Sequence, residues 1–220
     1  MLQLPDFNKA FDYENDFYLS CDNNRLGKFM AHYELYKMAQ NLPGAIVECG
    51  VFKGVSFTRF AGFRDLLGSA SAHKLIGFDI FGDFPETKFE EDIFYRERFI
   101  KAAGASSISV EQLREVLHNK GIDKNVELIA GDITKTLPEY IEKNPQLKVS
   151  LINLDTDIYE PSVTILEYLY PRLVTGGILI LDDYGTFPGE TKAIDDYFKG
   201  QNIKIQKFPF AMTPCYIVKA

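Results

Sequence analysis

The chain has 220 residues, 46% of them hydrophobic and 25% charged, with 24 Lys plus Arg against 31 Asp plus Glu. That is the composition of a folded domain able to bury a core without staples, and it excludes collagen-like, coiled-coil and wholly disordered chains. A formal net charge of −7 with no Lys/Arg run argues against nucleic acid or an anionic membrane surface as partner, since both call for clustered cations.

Cys21, Cys49 and Cys215 are odd in number and far apart, with no CxxC. They read as free thiols in a reducing cytoplasm rather than a disulfide framework or a thiolate zinc site. The N-terminal MLQLPDFNKAFDYENDFYL has neither a basic start nor an apolar stretch of signal-peptide type. The expectation is a cytoplasmic protein with one domain, in which 1–44 form a helical lid or extension and 45–220 the core.

In chain order, apolar residues at helical spacing predict a helix over 24–41, ended by Pro43-Gly44. AIVECGV (45–51) is a short run rich in β-formers, followed by a helix over 54–67. KLIGFDI (74–80) is a second strand, and 87–103 a charged, aromatic helix. Ser109 and Gln112 have capping-box spacing and open a further helix that stops at Gly121. VELIAGD (126–132) and KVSLINLDTD (148–157) are strands three and four, separated by a short helix over 136–143. A helix over 161–173 leads to GILILDDY (177–184), the fifth strand, and a last helix covers 190–199. Stretches 203–208 and 215–219 are β-rich and too close together for a helical crossover, so they should pair antiparallel. The fold class is therefore α/β: a doubly wound, mostly parallel, seven-stranded Rossmann-like sheet with an antiparallel C-terminal hairpin.

Open α/β sheets bind ligands at the carboxyl ends of their strands. Here those ends carry Glu48 and Gly50, Asp79, Gly131 and Asp132, Asp155 and Asp157, and Asp182 and Asp183. So many carboxylates on one edge repel one another unless cations or donors answer them. The first turn, Glu48 to Gly54, is neither GxGxxG nor GxxxxGK[ST]. A glycine turn without a pyrophosphate fingerprint suits a nucleoside cofactor lacking phosphates, such as S-adenosylmethionine (SAM). Asp79 is placed for a ribose diol and Asp132 for an adenine amino group, although both would also fit NAD. LDTD (154–157) and LDDY (181–184) should converge from neighbouring strands. An all-carboxylate set suits a hard cation, Mg²⁺ ahead of Ca²⁺ or Mn²⁺. The histidines His32, His73 and His118 read as surface residues, with His32 able to reach the pocket only if the N-terminal helix folds over as a lid. Phe81, Phe84, Phe89, Phe94 and Tyr95 read as core or lid packing, or an acceptor lining.

At VECGVFKGVSF (47–57), FDIFGDFPET (78–87), AGDITKTLP (130–138) and LDTDIYE…YPRL…GG…DDYG within 154–198, the sequence resembles the macrocin O-methyltransferase family. These are SAM- and Mg²⁺-dependent enzymes that methylate sugar hydroxyls, with the class I SAM methyltransferase fold. The resemblance implies Asp155, Asp182 and Asp183 as metal ligands and Asp157 as general base. It implies Glu48 and Gly50 at the methionine end of SAM, Asp79 at the ribose and Asp132 on the adenine side. It also implies a sugar-containing small molecule as acceptor and, since relatives are often oligomeric, a homo-oligomer. The chain departs from the family at Ile80, Gly82-Asp83 and Asp132. Three other chemistries share parts of the pattern: a catechol- or phenol-type O-methyltransferase, an NAD-dependent oxidoreductase, and a SAM-binding protein without catalysis.

Overall fold

The structure, a computed structural model, describes residues 2–220. Two helices precede the sheet, α1 (Ala10–Ser20) and α2 (Asn23–Ala39). Asp22 caps α2, accepting the Asn24 N–H at 2.7 Å. Helix α1, which the sequence pattern had not predicted, contributes no buried residue. Helix α2 buries Gly27, Ala31, His32, Leu35, Tyr36 and Ala39, a stripe recurring every three to four residues that fastens it to the sheet.

Strands and helices then alternate: β1 (Ala45–Cys49), α3 (Val55–Leu67), β2 (Leu75–Asp79), α4 (Glu90–Ala103), α5 (Val110–Asn119), β3 (Val126–Ala130) and α6 (Ile133–Lys143). β4 (Val149–Leu154), α7 (Tyr159–Leu169), β5 (Leu173–Leu181), α8 (Pro188–Tyr197), β6 (Gln206–Lys207) and β7 (Cys215–Val218) complete the chain. The seven strands lie in the order β3-β2-β1-β4-β5-β7-β6. β1 to β5 pair in parallel, and β7 runs antiparallel to both β5 and β6. The mostly parallel, seven-stranded sheet with an antiparallel C-terminal hairpin is the predicted fold class. The order reverses between β1 and β4, and that switch point opens the crevice in which such sheets bind ligands.

Side chains alternate between two core layers. Val47, Cys49, Ile152, Leu154 and Leu181 face α6, α7 and α8. Ile46, Leu151, Ile178 and Ile180 face α2, α3 and α5. The central strands are covered on both sides, which is why they read as unbroken apolar runs. The capping box at Ser109 and Gln112 forms as predicted. β5 begins earlier than the glycines suggested, because Leu173 pairs with Val149 before the register jumps to Leu151 and Ile178. Gly176, at φ +79, lies within that irregularity. Among the described residues no helix is long and apolar enough to cross a membrane.

Candidate active site at the carboxyl edge of the sheet

The β1 and β4 tips pass each other at Gly50. Its φ is +90, and a Cβ there would fall 1.6 Å from the Asp155 carbonyl oxygen, so only glycine fits. The turn that follows is held by Asp79. Its Oδ2 accepts the N–H groups of Val51 and Phe52 at 2.8 and 2.9 Å. Its Oδ1 accepts the Phe81 N–H at 2.6 Å and the Ser107 hydroxyl at 3.0 Å. Four donors match the usual capacity of one carboxylate, so Asp79 shapes the turn with all the oxygen lone pairs it has. Asp132 caps α6, accepting the Thr134 N–H at 3.0 Å.

Glu48 and Asn153 are register partners on β1 and β4, and both are fully buried. Glu48 Oε1 accepts the Ser56 hydroxyl at 2.7 Å, while its Oε2 and both polar atoms of the Asn153 amide have no partner among the described residues. Burial pushes the Glu48 carboxyl up to about 8.

Asp155, Asp157 and Asp183 each offer a carboxylate oxygen within 4.8 Å of the other two. Asp157 holds φ +64, a left-handed conformation that aspartate tolerates better than most residues. Burial, together with the neighbouring carboxylates, raises Asp155 and Asp157 well above the ordinary range, and burial and Asp182 raise Asp183.

Asp182 is fully buried and acts on Asp155 and Asp183 as a close charge, but just past the end of β5 its side chain turns to the opposite face from Asp183. On the α2 side its Oδ2 accepts from Lys28 Nζ, and His32 Nε2 lies 3.4 Å from its Oδ1. Burial alone would raise Asp182, but the Lys28 charge and the His32 hydrogen bond pull it below its usual value. Burial works against the Lys28 ammonium, yet Asp182, Asp155 and Asp183 outweigh it and raise its pKa. His32 is pushed down to about 4 by burial and is therefore neutral at pH 7. Arg59 Nη1 lies 3.2 Å from His32 Nδ1. Arginine can only donate, so Nδ1 is the acceptor, and Nε2 carries the proton toward Asp182.

The expected ligand set and the observed trio thus share Asp155 and Asp183. Asp157 completes the group, while Asp182 turns toward α2. His32 and His73 are buried rather than at the surface, 0% and 4% exposed; only His118 lies outside. His73 bridges the carbonyl oxygens of Gly44 and Gln40, at 2.8 Å each. The N-terminal helix covers the sheet, so His32 reaches the acids.

Three further residues organise the site without having been singled out from the sequence. Lys28 is one. Glu190, fully buried in the first turn of α8, accepts the Asp183 N–H, and its Oε2 has no partner among the described residues. Asp92, buried in α4, accepts the N–H groups of Tyr159 at 2.9 Å and Gly189 at 2.7 Å, tying α4 to the starts of α7 and α8. Lys28 and His32 did leave a signal: they lie four residues apart on the stripe that holds Ala31 and Leu35.

Around the acids, Phe99 meets Phe52, Phe84 and Phe187 at centroid distances of 5.3, 5.5 and 6.1 Å. Of the aromatics singled out from the sequence, Phe84 joins this group, Phe89 stacks on Tyr159, and Phe94 is 64% exposed. An open cleft of about 470 Å³ between α4 and α8 is lined by Tyr95, Gly185, Phe187, Thr191, Lys192 and Asp195, among others.

A doubly wound parallel sheet closed by an antiparallel β7, with a glycine turn and acids along its carboxyl edge, is the architecture of the class I SAM-dependent methyltransferases. Within that class the chain belongs to the macrocin O-methyltransferase family, whose model matches residues 17–213. It is similar to the 8-demethyl-8-(2,3-dimethoxy-alpha-L-rhamnosyl)-tetracenomycin-C 4'-O-methyltransferase of Streptomyces olivaceus, with 32% identity over 67% of this chain and 55% of that protein. It is also similar to the demethyldecarbamoylnovobiocin O-methyltransferase of Streptomyces niveus, with 27% identity over 73% of this chain and 60% of that protein. The match thus spans little more than half the length of these relatives. Among solved structures, the calicheamicin methyltransferase CalS11 superposes with a TM-score of 0.78 at 25% identity, covering 95% of this chain and 85% of its own.

Proposed function

We propose that the protein is a SAM-dependent, Mg²⁺-dependent O-methyltransferase acting on a hydroxyl of a sugar or glycosylated small molecule. The observation that carries this is the convergence of Asp155, Asp157 and Asp183 within 4.8 Å, beside the Gly50 turn, in a chain of this family. The relatives' names support the acceptor class, since one is named for a rhamnosyl-bearing tetracenomycin.

The donor set fits a hard divalent ion. It is all oxygen, Asp157 is buried and Asp155 and Asp183 are half-buried, and the Lys28 ammonium offsets part of the acids' charge. In this proposal Asp155, Asp182 and Asp183 hold the ion. Glu48 and Gly50 line the methionine end of SAM, with the Glu48 Oε2 able to accept from an ammonium once its proton is shed. Asp79 acts on the ribose side through the turn it fixes, and Asp132 stands toward the adenine.

When bound, the divalent ion supplies positive charge that makes an acceptor hydroxyl more acidic, and SAM supplies a methyl group on a sulfonium. Asp157 takes the hydroxyl proton, and its raised proton affinity suits a general base. With Glu48 and Gly50 holding SAM, methyl transfer from the sulfonium would leave S-adenosylhomocysteine and would need no covalent enzyme intermediate. Glu190 and Asp92 hold the loops that carry Asp157 and Asp183. Phe52, Phe99 and Phe187 keep bulk water from the edge and offer flat apolar faces to a sugar ring.

The test is methyl transfer from labelled SAM to deoxysugar glycosides and nucleotide-linked deoxysugars, with S-adenosylhomocysteine release as readout. Chelation should abolish turnover and Mg²⁺ restore it; full activity in chelator removes the metal from the proposal. Turnover of a catechol and of no sugar would reassign the acceptor class.

A further inference from the structure

Lys28 stands on the one carboxylate that the proposed metal site needs and that the trio lacks. Its ammonium donates to Asp182 Oδ2, and Asp155 and Asp183 are the next carboxylates acting on it. An ammonium carries a single charge, and a divalent ion bound at Asp182 Oδ2 would sit directly beside it. The oxygen has lone pairs for both, but two cations in one carboxylate pocket repel, so the divalent ion displaces the ammonium.

We propose that Lys28 is the resident cation of the carboxylate cluster, held on Asp182 until a divalent ion takes that oxygen, so that metal binding and Lys28 release are a single exchange. The inference rests on the metal site proposed above and adds to it the residue against which the metal competes.

The backbone at Lys28 is fixed, so the exchange falls to the side chain. A Cβ on the neighbouring Gly27 would lie 2.6 Å from the Phe210 carbonyl oxygen, which seats this turn of α2 against the C-terminal segment. Ala31, Leu35, Tyr36 and Ala39 anchor the rest of the helix in the core. The Lys28 side chain is 23% exposed, so a path to solvent exists along its four methylenes. His32 stays behind. It is stacked on Phe60 at 5.0 Å and fully buried, and it keeps a hydrogen bond on the other oxygen of Asp182. The carboxylate is thereby held in place while its cation changes.

The experiment uses the full chain and Mn²⁺ as probe, with free Mn²⁺ read by electron paramagnetic resonance, beside acetic anhydride labelling of lysines read by mass spectrometry. Asp183→Asn should weaken Mn²⁺ binding tenfold or more, and Lys28→Met should tighten it tenfold or more. In the unmodified chain, Lys28 acetylation should rise several-fold when Mg²⁺ is added, while Lys120 and Lys124 stay constant. If Mn²⁺ binds and Asp183→Asn abolishes binding, yet Lys28 labelling does not rise with Mg²⁺, Lys28 is a permanent partner of Asp182 and the exchange is wrong. If the unmodified chain binds no Mn²⁺, or Asp183→Asn leaves binding intact, the metal site itself falls. The labelling arm needs no variant, so a misfolded Lys28→Met does not blunt the test.

Discussion

Glu190 accepts the Asp183 N–H on Oε1 at 2.9 Å, and its own N–H donates to the Asp157 carbonyl oxygen at 3.1 Å. One residue therefore clamps both loops that bring the acids together. Burial, then Asp183, raises Glu190 well above the ordinary carboxyl range, which favours its neutral, protonated form. Glutamine copies that neutral shape and keeps the carbonyl that accepts from Asp183. Glu190→Gln should match the unmodified chain in urea denaturation at pH 7. Glu190→Ala leaves a buried N–H unpaired and should cost about 1–3 kcal/mol. Equal losses in the two variants would show that the hydrogen bond is not what Glu190 contributes.

Asp157→Asn separates chemistry from folding. Asparagine accepts the φ of +64 almost as readily as aspartate, so the loop should keep its shape and SAM should still bind. The proton acceptor is gone, and turnover should fall by about 10²–10⁴, the usual contribution of a general base. Isothermal titration with SAM and a single-turnover assay read the two quantities apart. Turnover equal to that of the unmodified chain would remove Asp157 as the base.

The sheet was legible because its central strands β1, β2, β4 and β5 are buried on both faces and run into glycine or acid, a pattern that survives without any tertiary information. The acids at those ends were legible for the same reason. Their orientation was not. Asp182 and Asp183 look equivalent in sequence, yet strand alternation sends one toward α2 and the other toward Asp157. Asp79 looked free for a ribose, but three of its four partners are backbone N–H groups, which nearly every residue has, so no side-chain pattern announces them. Lys28 and Glu190 were missed because their partners lie 154 and 7 residues away. Helix α1 was missed because it buries nothing, and a helix without an apolar stripe leaves no periodic trace.

Arg64 offers a test of the scaffold away from the site. It is 1% exposed, and its guanidinium donates to the carbonyl oxygens of His73, Asn125, Ile122 and Lys124. Those carbonyls belong to the segments that enter β2 and β3, so Arg64 ties two strand starts to α3. Arg64→Met preserves bulk and removes the donors. Hydrogen bonds from a charged group are worth about 1.5–3 kcal/mol each in net terms, so the variant should lose several kcal/mol in urea denaturation. Its affinity for SAM, read on the fraction still folded, should be unchanged. A stable variant would mean that water replaces the guanidinium without loss.

Glu48 and His32 give the fold opposed pH dependences. Glu48 keeps its proton up to about 8 in the folded chain against an ordinary 4.5. The folded state binds the extra proton between those values, so its contribution to stability is present below 4.5 and is lost as pH rises toward 8. His32 titrates at about 4 when folded against 6.5 when free. The unfolded state binds the extra proton there, so this contribution is present above 6.5 and is lost as pH falls toward 4. From 4.5 to 6.5 the two slopes cancel; above 6.5 only the Glu48 loss remains. Glu48→Gln removes that loss and leaves other titrating groups in place. Its stability relative to the unmodified chain should therefore climb with pH between 4.5 and 8, by about 1.4 kcal/mol per unit, and level off above. Urea midpoints of both chains at pH 5, 6.5 and 8 measure the difference. A difference that stays constant across the three would mean that Glu48 is already ionised in the folded protein, its unpartnered oxygen answered by a cation.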